Sequence, residues 1–217
     1  MKIERQRYFD ENEQQILEEI LLHRRDVRGN NFKKEVISKE HIDRILQAAL
    51  YAPSVGFSQS WEFVLIFDQK IKQAVKVSFQ EENENAVHQF SDVKKQEYIK
   101  LKLEEITEAP LNIAVFYKPK NESALGQTSM SNVGKYSVVC VIQNIWLMAR
   151  SLNIGMGWIS ILNPEKVKKV LNAPIENQLI GYLCFGYTDM FYHKPESKIK
   201  KRDVKKLLEE VVIIEKY

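Results

Sequence analysis

Residues Tyr136–Leu152 read YSVVCVIQNIWLMARSL, and Val138, Val139, Val141, Ile142, Ile145, Trp146, Leu147 and Met148 leave little of a helical circumference polar. A helix that is apolar on nearly every side is buried on nearly every side. A chain of 217 residues has room for one domain. Burial that complete predicts a second copy of the chain against one face, a homodimer. Cys140 lies in this stretch, and Cys184 in the apolar run Leu179–Phe185. Both are expected as buried thiols of a reducing cytoplasm.

Outward from this helix, short β-branched and aromatic runs alternate with helical patterns. Trp61–Phe67 (WEFVLIF), Leu111–Tyr117 (LNIAVFY), Met156–Ile161 and Leu179–Phe185, closed by Gly186, read as strands. Glu11–His23 carries Ile16, Leu17, Ile20 and Leu21 at helical spacing. Ser38 is placed to N-cap a helix with Ile42, Ile45, Leu46 and Ala49 on one face, and Asn163-Pro164 starts another. Ile71–Glu108 is polar and helix-prone, interrupted around Glu81–Asn85 and ended by Pro110, and Lys118–Lys135 is a polar loop long enough to be functional. No G-x-G-x-x-G fingerprint appears, which disfavours a dinucleotide-binding Rossmann fold. The class is α+β: one domain over residues 1–217, a small sheet wrapped by helices.

Composition excludes several functions. Lys and Arg number 32 against 29 Asp and Glu, a net charge of +3, which predicts solubility and no nucleic-acid surface. The dense basic run Lys198–Lys206 reads as part of a solvated C-terminal tail over 187–217. Met1–Phe9 is charged, without a secretory core, and no window has the apolar length to cross a bilayer, so a cytoplasmic enzyme without a membrane partner is expected. His23, His41, His88 and His193 lack ligand spacing, so no metal is indicated.

Three segments could carry chemistry. Arg24-Arg25-Asp26-Val27-Arg28 closes the first helix. Its guanidiniums could clamp a phosphate through their planar forks, or serve as a basic cap on the helix dipole. Asp26 among them would either order the arginines or be held as an ionised acceptor, since nearby cations favour the charged carboxylate. Ala52–Trp61 (APSVGFSQSW) is a turn whose backbone can approach a ligand, with Ser54 and Gln59 as polar contacts. In Gly155–Ser160 (GMGWIS), glycines permit close backbone approach, and Ser160 at an apolar strand end needs a partner, which a backbone carbonyl would supply in a purely structural role. No G-x-S-x-G elbow surrounds it, which argues against a serine hydrolase. Trp61, Trp146 and Trp158 are expected in the core.

Taken in order, these segments resemble the nitroreductase superfamily. The residues that carry the likeness are RRDVR (Arg24–Arg28), APSVGF (Ala52–Phe57) with Gln59 and Trp61, LKLE (Leu101–Glu104), EAP (Glu108–Pro110) and Leu125-Gly126. YSVVC and IQNIW (Tyr136–Cys140, Ile142–Trp146) and GWISIL (Gly157–Leu162) complete it. The resemblance implies a mostly antiparallel sheet flanked by helices and FMN bound at a dimer interface. It is closer to one branch, marked by an aspartate at position 26 where general nitroreductases carry serine. There reduced FMN is consumed as substrate with dioxygen as co-substrate, giving 5,6-dimethylbenzimidazole, the lower ligand of cobalamin. By resemblance, Asp26 and Ser160 are catalytic. Arg24, Arg25, Asp26, Val27, Arg28, Ser54 and Gln59 contact FMN, as does Lys205 or Arg202 from the tail, with Lys205 preferred. Ile71–Ile106 forms a lid, and an external flavin reductase supplies electrons. The alternative is an NAD(P)H-dependent FMN nitroreductase that recycles its flavin.

Overall fold

A strand buried on both faces must have side chains on both sides that need cover, and Leu111–Tyr117 is such a strand. The structure, a computed structural model, describes residues 7–28, 31–87, 105–120, 125–194 and 205–216. The elements are α1 (Glu11–His23), α2 (Lys39–Leu50), a 3-10 turn (Val55–Phe57), β1 (Trp61–Ile66), α3 (Gln69–Val87) and β2 (Leu111–Tyr117). Then come α4 (Val133–Ser151), β3 (Ile154–Ile159), α5 (Pro164–Val170), β4 (Gln178–Tyr187) and a 3-10 turn (Leu208–Glu210). The strands form one antiparallel sheet in the order β1-β2-β4-β3. All seven residues of β2 are buried. Since successive side chains alternate faces, Leu111, Ile113, Val115 and Tyr117 meet α2 and α4 in one core. Ala114 and Phe116 meet Val75 and Phe79 of α3 and Val167 of α5 in the other. The α+β class is borne out as a three-layer arrangement.

Capping chemistry places the helix starts. Ser38 accepts from the His41 N–H at 3.2 Å, and Asn163 accepts from the N–H groups of Glu165 and Lys166 ahead of Pro164. Asp10 and Glu13 complete a reciprocal capping box on α1. The apolar residues of α1 are nevertheless exposed: Ile16, Leu17, Leu21 and Leu22 all face outward.

Helix α4 buries Val138, Val141, Ile142, Ile145 and Ala149 in the core, while Tyr136, Val139, Cys140 and Gln143 form an exposed stripe at helical spacing. The expectation of two buried thiols is therefore half right: Cys184 is buried and Cys140 is exposed. Its neighbours are apolar in sequence, but the helix turns them to different faces. The docking of α4 is close because Gly181 lies beneath it; a Cβ there would stand 2.8 Å from the Ile142 side chain.

The polar stretch after β1 also differs from expectation. Glu81–Asn85 does not interrupt it: α3 runs unbroken to Val87, and Glu81 pairs with Lys166. Lys72, Val75, Ser78 and Phe79, in the first half of the stretch expected as a lid, are buried. Residues 88–104 lie outside the described residues. We predict that Ile142→Ala costs about 2–5 kcal/mol of stability, read as a lowered urea midpoint at fixed protein concentration.

Candidate functional site

From the end of α1 the backbone turns extended at Arg24 and runs beside β3, where Asp26 forms a parallel bridge with Met156 and the Val27 N–H donates to the Met156 carbonyl at 3.0 Å. The glycines of β3 make this approach possible. A Cβ on Gly155 would meet the Val27 side chain at 2.9 Å; one on Gly157 would meet Glu105 Oε1 at 2.3 Å and the Val27 carbonyl at 2.6 Å. Close approach was the expected use of these glycines, and the partner is the chain itself. Val27, expected at the cofactor, is buried and its N–H is already taken by β3.

The same geometry sets Asp26. One carboxylate oxygen accepts the Trp158 N–H at 3.3 Å, and the other accepts from Arg28 in a close ion pair. Burial pushes its pKa above the usual carboxylate value, against the opposing pull of Arg28, Trp158 and Arg24. Asp26 thus orders Arg28, as one sequence reading allowed. The cations do favour its charged form, but desolvation disfavours charge more, so the net shift is upward.

The three arginines do not converge. The Arg24 guanidinium lies 4.3 Å over the Trp146 ring. Arg28 is on Asp26. Arg25 donates to the Leu22 and Arg24 carbonyls and, at 2.9 Å each, to those of Tyr192 and His193. It ties the first part of the C-terminal tail to the end of α1. The tie is reinforced by the Phe32–Thr188 bridge, by Lys33 on Asp189 at 2.7 Å, and by Arg150, whose guanidinium stacks 4.0 Å over Phe191. Sequence reasoning missed Arg150 and Phe191, because nothing in spacing links them to Arg25.

The loop of Ser54 and Gln59 lies elsewhere. Gly56, Phe57 and Gln59 all have positive φ, near 50°, a conformation that costs the two non-glycine residues energy. The Ser54 hydroxyl accepts the Gln59 N–H, and the Val55 N–H donates to Ser137 near the start of α4. Arg24–Arg28 instead packs beside Trp146. Ser137 and Trp146 are separated by about 13 Å of helix at 1.5 Å per residue, so one protomer holds the two predicted contact sets at different levels of α4. Ser160 falls one residue beyond β3 and is exposed, so its hydroxyl needs no protein partner and is open to solvent. This departs from the buried strand end expected of it. Lys205 is exposed at the start of the last described segment and, among the described residues, makes no hydrogen bond or ion pair. Arg202 lies outside the described residues. Among the described residues no group of metal-ligating side chains is assembled, and no helix is long and apolar enough to cross a membrane.

A small antiparallel sheet between two helical layers, with a basic segment laid along its edge strand, defines the class. Residues 21–187 match the Nitroreductase family, and the chain belongs to that family. It is 37% identical over 190 residues to 5,6-dimethylbenzimidazole synthase of Rhodospirillum rubrum, covering 87% of this chain and 89% of that enzyme. It is 33% identical to the enzyme so named in Rhodobacter capsulatus, covering 82% and 86%. Among solved structures, a BluB-like flavoprotein from Clostridium difficile superposes with a TM-score of 0.69 at 23% identity, over 92% of this chain and 99% of that one. An iodotyrosine deiodinase bound to FMN and 3-iodo-L-tyrosine gives 0.72 at 21%, over 93% and 100%. These two show the shared fold.

Two predictions follow from the packing of Asp26. Gly157→Ala forces Val27 and Glu105 away from β3. It should cost about 1–3 kcal/mol and speed hydrogen exchange at the Val27 amide. A carboxyl whose folded pKa is raised binds its proton more tightly in the folded state. It therefore removes stability as pH climbs from its ordinary value near 3.8 through the raised one. Asp26→Asn, which does not titrate, should gain on wild type across that window in urea titrations at stepped pH and keep that relative gain at neutrality.

Proposed function

We propose that the chain binds reduced FMN and, with dioxygen, fragments it to 5,6-dimethylbenzimidazole. The setting is the cytoplasm, with an external flavin reductase as the electron source. The observation that carries this reading is Asp26. It is a carboxyl lodged between Arg24 and Arg28, with its proton affinity raised by burial, in a chain similar over most of its length to enzymes named for that product. The residues present fit the flavin's phosphate tail. Arg24 and Arg28 are half-buried rather than sealed in, and a guanidinium matches two phosphate oxygens at once. When bound, reduced FMN supplies both the electrons for dioxygen and the carbon skeleton of the product.

The roles of the chain's own groups then follow. Arg24 and Arg28 hold the phosphate and the ribityl end, beside which Asp26 takes up a proton from the ribityl carbon next to the ring. A carboxyl with a raised pKa is the better base for that step. Ser160, exposed two residues beyond Trp158 at the end of β3, donates toward the ring. Ser54 and Gln59 reach the isoalloxazine from a second copy, because their loop stands about 13 Å along α4 from the arginines of its own protomer. This arrangement joins the exposed stripe of α4 and the exposed apolar side of α1 into one homodimer surface. Lys205 contributes a further cation to the phosphate.

Anaerobically reduced FMN, nearly colourless, mixed with this protein in aerated buffer is expected to yield dimethylbenzimidazole by mass spectrometry instead of regaining the yellow of oxidised FMN. Asp26→Asn should still bind FMN but form product about 100-fold or more slowly. Flavin that stays intact while NADPH is oxidised by a nitroaromatic would show the recycling nitroreductase instead. Val139→Glu, which puts a charge on the α4 stripe, should give a folded monomer by light scattering with weakened FMN binding. A wild-type protein that is already a stable monomer removes the shared site.

A further inference from the structure

Trp146 was expected only as a core residue, yet three separate contacts place it under the basic segment. Its ring face carries the Arg24 guanidinium at 4.3 Å. Its indole N–H donates to the Arg25 carbonyl at 3.3 Å. Its ring meets that of Trp158 in a T-shaped pair, with ring centroids 6.5 Å apart, and the backbone N–H of Trp158 holds Asp26. One side chain thus touches the side chain of residue 24, the backbone of residue 25 and the residue that orients residue 26. It does so from α4, whose opposite side is packed in the core, so its position is rigid.

We propose that Trp146 is the positioning residue of the phosphate grip, aligning Arg24 by cation–π stacking while its N–H pins the backbone between Arg24 and Asp26. The proposal rests on the reading that Arg24 meets the phosphate of FMN. Arg25 cannot take that role while its donors are spent on the Tyr192 and His193 carbonyls. The grip therefore depends on Arg24 and Arg28, and Arg28 is oriented by Asp26. Among the described residues Arg24 forms no salt bridge to a carboxylate, and the indole face is the surface that orders it. A guanidinium stacked on an aromatic face keeps its edge N–H groups free for an anion, whereas one bound to a carboxylate does not.

The test compares FMN with riboflavin, which lacks only the phosphate, as oxidised ligands in fluorescence titrations of the full-length protein. Wild type is expected to prefer FMN. Trp146→Phe keeps an aromatic ring but removes the N–H and weakens the stacking. It should lower FMN affinity by about 3- to 10-fold and riboflavin affinity by clearly less. Arg24→Gln should do the same, and Arg24→Gln combined with Trp146→Phe should lose little more than either alone, because both act on one contact. Equal loss of FMN and riboflavin affinity in Trp146→Phe, or an unchanged ratio, overturns the proposal by reducing Trp146 to packing. A wild-type protein with no preference for FMN overturns instead the assignment of the phosphate to Arg24. Circular dichroism melts identify a variant that has unfolded; Trp146→Tyr, which retains a ring of similar width, then replaces it in the same comparison.

Discussion

The structure depends on how closely one extended segment can lie against one strand. Asp26 and Val27 approach β3 only because Gly155 and Gly157 present no side chain there. That approach supplies the parallel bridge at Met156, brings the Asp26 carboxyl to the Trp158 N–H, and so aims Arg28. It also desolvates the carboxyl, since the backbone that accommodates it is itself packed. Moving the segment outward by one methyl group would loosen every one of these relations together. The site is thus a property of strand packing before it is a property of its charged residues.

The second constraint is α4. As a rod with one face in the core, it fixes where the other parts can stand: the loop of Ser54 and Gln59 near Ser137, the basic segment near Trp146, and the tail near Arg150. The arginines accordingly divide their work. Arg25 and Arg150 hold one part of the chain to another, through carbonyls and the Phe191 ring, and burial draws the pKa of each down, helped by Arg24 at Arg25 and by Arg25 at Arg150. Arg24 and Arg28 remain as the half-buried pair. An RR-x-x-R pattern looks like one clamp in sequence, but an extended backbone sends neighbouring side chains to opposite sides.

This alternation also explains what could be read in advance. Strand β2 was legible to the residue, because LNIAVFY is apolar but for Asn112 and Pro110 marks its start. The caps at Ser38 and Asn163 were legible because their side chains act locally. The segments of the site were legible as segments, by resemblance and by their glycines. Their internal geometry was not. Arg25 and Tyr192, or Arg150 and Phe191, meet only through the fold. The exposure of Cys140 depends on a helical phase that apolar neighbours on every side conceal, and that of Ser160 on β3 stopping two residues earlier than its apolar pattern implies.

The direction of the Asp26 shift connects recognition to chemistry. Its carboxyl is drawn down chiefly by Arg28 and raised by burial, and burial prevails. Any anion that Arg28 binds competes with Asp26 for the same guanidinium and adds a negative charge nearby. Both effects favour the protonated carboxyl, so a phosphate in the grip increases the basicity of the group beside it. A serine at this position could hydrogen-bond a ribityl chain but could not respond in that way, because it has no charge to shift. The aspartate therefore makes the proton affinity of the site depend on whether the site is filled, and the bridge to β3 holds it close enough to Arg28 for that dependence to operate.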